Sequence, residues 1–186
     1  MTTRRVSEAA RAIALQMLEE RGRGAVLVGV ARVDAALEHL LQAVMAPAAR
    51  KDDGLFLPER PLGSIGAKVA LASRLGLIDA AVERALHALR KLRNAFAHSA
   101  ESASLSDPAH HSRLEAIYAE ARANPLWVPL ETALAAQPNT TNGPLDPTLR
   151  DYILLITILV AFLEASAQQL RPYQPQVVMG LSGLTQ

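Results

Sequence analysis

Arg93, Asn94 and His98 are the residues whose types and spacing could do chemistry together. They lie in the run Leu89-Arg90-Lys91-Leu92-Arg93-Asn94-Ala95-Phe96-Ala97-His98. An imidazole titrates near neutrality and can give or take a proton. A guanidinium holds an anionic oxygen through paired N–H donors, and a carboxamide can position either. The run closes a helix that the spacing predicts over 79–99. With Arg93 at zero on a wheel of about 100° per residue, Val82, Leu86, Leu89 and Phe96 fall within about 60° of it. Arg93 is therefore expected in the apolar stripe. His98 falls about 140° round, so the two side chains converge only if the helix frays or a second copy contributes.

A core-facing arginine needs an acid, because deleting one partner of a buried pair commonly costs about 3–5 kcal/mol. The helix expected over 25–46 offers two. Asp34 shares its side with Leu27, Val30 and Leu41, and Glu38 follows one turn on. The expected structural site is thus a buried ion pair between Arg93 and Asp34, with Glu38 as the alternative acid. The competing disposition has the charge reaching water along its apolar stem. His98 has a structural use too: a histidine at a helix C-terminus can cap carbonyls or, protonated, favour the dipole by about 0.3–1 kcal/mol.

The Arg-Asn-x3-His spacing resembles the signature of the HEPN superfamily of helical domains. Its active members are metal-independent ribonucleases that work as dimers. In that reading His98 moves a proton, Arg93 binds the phosphate and Asn94 positions either. A wider likeness covers residues 25–99. It runs through Asp34-Ala35-Ala36-Leu37-Glu38-His39-Leu40-Leu41 and Arg60-Pro61-Leu62-Gly63-Ser64-Ile65-Gly66-Ala67-Lys68. Leu75-Gly76-Leu77-Ile78 and the Leu89–His98 run complete it. These runs resemble the mannitol operon repressor family, which is all-helical and regulates transcription without a recognised DNA-binding motif. The resemblance implies a non-enzymatic regulatory module acting through protein contacts. The HEPN likeness implies the alternative, a ribonuclease or toxin using Arg93, Asn94 and His98, with RNA as its substrate.

Composition narrows the field. The chain has 186 residues, half of them hydrophobic but only 4% aromatic, so Leu, Ala and Val must fill one core. Nineteen basic residues against 18 acidic leave a net charge of +1, which argues against a broad phosphate-binding surface but leaves room for a local patch. Cysteine is absent, which excludes disulfides, thiolate catalysis and cysteine zinc sites. Tyr152 to Leu163 is uncharged but far short of the roughly 20 residues a bilayer needs. The N-terminus shows no signal-peptide pattern, and a cytoplasmic location is expected.

Taken in order, the chain predicts an all-α, single-domain bundle of six or seven helices. A first helix over about 8–21 breaks at Gly22 and Gly24. The second stops before Pro47, and Gly29 inside it can admit a close neighbour. Ser64 caps a short helix that Gly76 ends, and Asp79 caps the central one. This outline does not make a DNA reader, since Ala80, Ala81 and Val82 cannot hydrogen-bond base edges. Asp107-Pro108 and Asp146-Pro147 start two further helices, with a shorter one over about 126–136 between them. Adjacent His110 and His111 point about 100° apart, unlike a helical zinc pair, so neither metal nor cofactor is expected. Glu115 and Glu120 read as solvated. Residues 137–143 read as a linker. The last helix, about 148–170, is apolar nearly all round, which suits a bundle centre or a dimer seam. Residues 1–171 are expected to form the domain, and 172–186 a tail, mobile or docked on another chain. The partners expected are a second copy and a regulated protein.

Overall fold

Gly22 sits at φ +43°, the left-handed region that disfavours a side chain. There the first helical stretch, α1 (Thr2–Val44), folds back on itself. Arg32 donates to Gln16 Oε1 at 3.2 Å from Nε and 2.7 Å from Nη2. Sixteen residues of straight helix would hold that pair about 24 Å apart. The break expected at Gly22 is therefore the reversal of a helical hairpin. The computed structural model describes residues 2–47, 54–98, 103–136, 145–172, 179–180 and 183–184.

Five more helices follow: α2 (Ile65–Arg74), α3 (Ala80–His98), α4 (Pro108–Arg122), α5 (Trp127–Ala135) and α6 (Pro147–Gln169). With the two arms of α1 counted separately, the described residues form an all-α bundle of about seven helices. Local chemistry sets the boundaries. Ser64 accepts a hydrogen bond from the Ala67 amide. At the other end of α2, Gly76 takes φ +67°, and the Leu77 and Gly76 amides bond Ala72 O and Ser73 O, closing a Schellman motif. Asp79 Oδ1 caps α3 through the Val82 amide at 2.8 Å, and Asp146 caps α6 through Thr148. Asp107 starts α4 without a side-chain cap, because its carboxylate turns back to the Ser104 amide.

α6 is the axis of the core. Every residue from Asp151 to Ala161 is buried, so the helix is enclosed on all sides within its own chain. It packs on both arms of α1, on α4 and on α5. The apolar circumference needs no second copy to cover it, and of its large apolar side chains Phe162 alone is well exposed. Tyr152 points from α6 into the α1 hairpin and donates to Val26 O at 3.0 Å. Burial pushes its phenol well above the ordinary tyrosine value. Gly29 makes this approach possible. A Cβ there would lie 2.7 Å from the Tyr152 hydroxyl and 3.1 Å from Met17 Sδ.

Met179–Gly180 (β1) pairs antiparallel with Gly183–Leu184 (β2) in a two-residue ladder. Most of the tail expected at 172–186, with its docking on another chain, lies outside the described residues, as does the linker at 137–143.

Candidate functional site

The buried cation is Lys68, where Arg93 was expected. Lys68 is 2% exposed and projects from α2 toward the second arm of α1. Its Nζ donates to Glu38 Oε2 at 2.8 Å and lies 3.0 Å from Asp34 Oδ1. Asp34 Oδ1 is closed to water and has no aligned donor, so its stabilisation is ionic. The Phe56 ring lies 5.9 Å from the ammonium. Burial pulls the Lys68 pKa down, but the two carboxylates together outweigh it and hold it above the ordinary 10.5. Both acids read from the sequence are in place, then, with a different partner. The signal for that partner was present in α2, where Ile65, Lys68, Val69 and Ala72 form a stripe at helical spacing.

Arg93 is exposed, and among the described residues it makes no ion pair. The buried residues of α3, Ala85, Leu86, Ala88, Leu89, Leu92 and Phe96, centre near Phe96 on the wheel, and Arg93 stands at the edge of that arc. Its position along the axis adds to this. The Arg90 stem lies 3.7 Å from where a Gly66 Cβ would sit, so the start of α2 faces the middle of α3. α2 has 10 residues and α3 has 19, or about 15 Å against about 28 Å. α2 therefore does not reach the last turns of α3. Phe96 stays buried because it faces α4, where the His110 ring packs against it, tilted by 48°, at 5.3 Å between centroids. Arg93→Ala is accordingly expected to change stability by no more than about 0.5 kcal/mol in urea melts, whereas a core arginine would cost several.

Asn94 and His98 are exposed too. They lie one turn apart on α3, with Arg93 off to the side, so the three side chains do not converge within one chain. His98 closes the helix but leaves the capping to Arg23, whose Nη2 donates to Ala97 O at 3.0 Å from the α1 reversal. Among the described residues, no group of His, Asp or Glu is placed to hold a metal.

A second ionic cluster was not legible. Asp151, buried on α6, takes Arg122 Nη2 from α4 at 2.6 Å and Arg150 Nη2 at 2.8 Å. Arg122 also bonds Glu115 at 2.8 Å, and Arg150 reaches Glu131 of α5 at 3.2 Å. Asp151 and Glu115 raise the Arg122 pKa further. The network ties α4, α5 and α6 together. Glu115 and Glu120, expected to be solvated, are about half exposed, and each also holds an arginine, Glu120 pairing with Arg84 at 2.8 Å. Sequence reading missed Asp151 because the residue sits in register with an apolar run and one of its two partners, Arg122, comes from α4.

An apolar cleft of about 440 Å³ opens between α3, α4 and α6, floored by Val82, Ile117 and Leu159. Its rim acids are already used, Asp79 as a cap and Glu120 as an ion pair. None of the described helices is long and apolar enough to cross a membrane. Compared with family models, with curated proteins and with solved structures, the chain finds no match in any of the three.

Proposed function

We propose that the chain is a non-enzymatic regulatory module of the kind its likeness to mannitol operon repressors implies, working in the cytoplasm through protein contacts and as a homodimer. One observation carries this reading. The separate runs behind the likeness pack into one unit, with Lys68 of the second run clamped by Asp34 and Glu38 of the first. Arg90 of the last run lies against Gly66 of the second. Among the charged residues of these runs, buried Lys68 with Asp34 and Glu38 fastens α1 to α2, while Lys91, Arg93 and His98 of α3 face outward. An outward set that does not converge suits recognition of another macromolecule better than catalysis within one chain.

The test is genetic and biochemical. Deleting the gene in its own host is expected to change transcription of a discrete operon several-fold. The purified protein is expected neither to retard that operon's promoter DNA nor to degrade RNA. Unchanged transcript levels would refute the proposal. The ribonuclease reading is favoured by one fact, the solvent exposure of Arg93, Asn94 and His98. It requires two copies to bring Arg93 and His98 together. In that case His98→Ala abolishes cleavage of single-stranded RNA and leaves the melting temperature unchanged.

A further inference from the structure

A second cleft, of about 540 Å³, opens between the two arms of α1 and the C-terminal half of α6. Its volume falls within the range of about 300–1,000 Å³ usual for small-molecule sites. Short apolar side chains make most of its wall, among them Ala35 of the second arm and Val160 and Ala161 of α6. Arg32, His39 and Glu164 share the same lining. Arg32 and His39 stand on one face of α1, seven residues apart, or about 10 Å along the axis. At the His39 end the charges answer each other, with Nδ1 3.2 Å from Glu164 Oε1. At the other end Arg32 has no carboxylate partner among the described residues. It is held instead by neutral Gln16, whose Oε1 accepts from Nε at 3.2 Å and from Nη2 at 2.7 Å across the hairpin. A single carboxamide oxygen thus orients the guanidinium without neutralising it. The Nη1 donors and the second N–H of Nη2 are left for another acceptor, along the edge that a carboxylate grips in pairs.

We infer that this cleft binds a small aliphatic monocarboxylate, with the carboxylate on Arg32 and the chain along Ala35, Val160 and Ala161. The inference rests on the reading as a regulatory module and makes the ligand that module's effector. The charge pattern selects the class. One cation without an acid matches one anionic end. Glu164, beside His39 at the opposite end, disfavours a second negative charge there, so a dicarboxylate fits poorly. The wall between the two ends is mainly methyl groups, which suits a saturated chain and leaves the hydroxyls of a sugar few partners. A ligand lying there touches both arms of α1 and α6 at once, so its binding draws the open end of the hairpin onto α6.

The experiment is calorimetric titration of the full chain with hexanoate, octanoate, octylammonium and octanedioate. Octanoate is expected to bind about tenfold more tightly than hexanoate, because each buried methylene strengthens binding about fourfold. Octylammonium and octanedioate should bind at least about tenfold more weakly than octanoate. Arg32→Gln should weaken octanoate about tenfold or more. Ala35→Leu, which fills the cleft while keeping a good helix former, should do the same. Arg74→Gln, on the exposed face of α2, should bind like the unsubstituted chain. Thermal melts without ligand report the folding of each variant separately. Octanoate that fails to bind, that binds no better than octylammonium, or that binds the folded Arg32→Gln or Ala35→Leu chain equally well would overturn the inference. Such a failure leaves the regulatory reading standing if the gene deletion still alters transcription. The reverse pattern, octanoate held at Arg32 with no transcriptional effect of the deletion, removes the regulatory reading alone.

Discussion

Replacing Lys68 with methionine is expected to lower stability by about 3–5 kcal/mol, measured by urea unfolding at neutral pH. Methionine fills nearly the same space, so the loss is electrostatic. It leaves Asp34 and Glu38 one turn apart on α1, each about one-third exposed, facing each other with no cation between them. Asp34→Asn and Glu38→Gln in the methionine background should recover most of the loss, because a neutral cluster has no charge to desolvate. A methionine variant as stable as the parent would show that the clamp contributes nothing. The pH dependence has a definite sign. The Lys68 pKa is raised in the folded chain, so the unfolded chain releases its proton first as pH rises. The stabilisation is complete below the ordinary value of 10.5 and is lost as pH climbs through the folded value. Alkaline unfolding should therefore be steeper in the parent than in Lys68→Met.

The second large effect is expected at Gly29. In an exposed helix Gly→Ala gains about 1 kcal/mol. Here the new methyl would meet the Tyr152 hydroxyl at 2.7 Å and Met17 Sδ at 3.1 Å. Moving Tyr152 aside breaks its bond to Val26 O and leaves a buried hydroxyl unpaired. Overpacking costs about 1–3 kcal/mol and the lost bond about 1–3 more, so the net loss should be about 1–5 kcal/mol after the propensity gain of about 1. Tyr152→Phe removes the atom nearest the new methyl. Gly29→Ala should consequently cost markedly less in the Tyr152→Phe background than in the parent. Strict additivity in that double-mutant cycle would mean that the two helices do not meet as described.

The turns and caps were legible because their chemistry is local. Ser64, Asp79 and Asp146 need only their own next turn to act as caps, and Gly22 and Gly76 declare themselves by tolerating positive φ. The chance of a close neighbour at Gly29 was visible, but the neighbour's identity was not, since Tyr152 is more than a hundred residues away. Likewise nothing near Asp151 in the chain except Arg150 announces its partners.

The candidate site shows where reading along the chain stops. Periodicity assigned Asp34 and Glu38 to the inner face of α1 and set the stripe of α3, and both assignments describe the folded molecule. It pointed to Arg93 as the cation and passed over Lys68, because a wheel of one helix shows neither where its buried arc ends nor what packs on it. Where α2 packs decided the cation. The shorter helix starts opposite Arg90, so it carries Lys68 onto the two acids and leaves Arg93 in water. Most helix positions, the caps at Ser64, Asp79 and Asp146, and the acidic half of the buried cluster are properties of the sequence alone; the start of α1 at Thr2 and the carboxylate of Asp107, which turns back to Ser104, are not. The identity of the buried cation, the enclosure of α6 and the exposure of Arg93 arise only when the helices pack side by side.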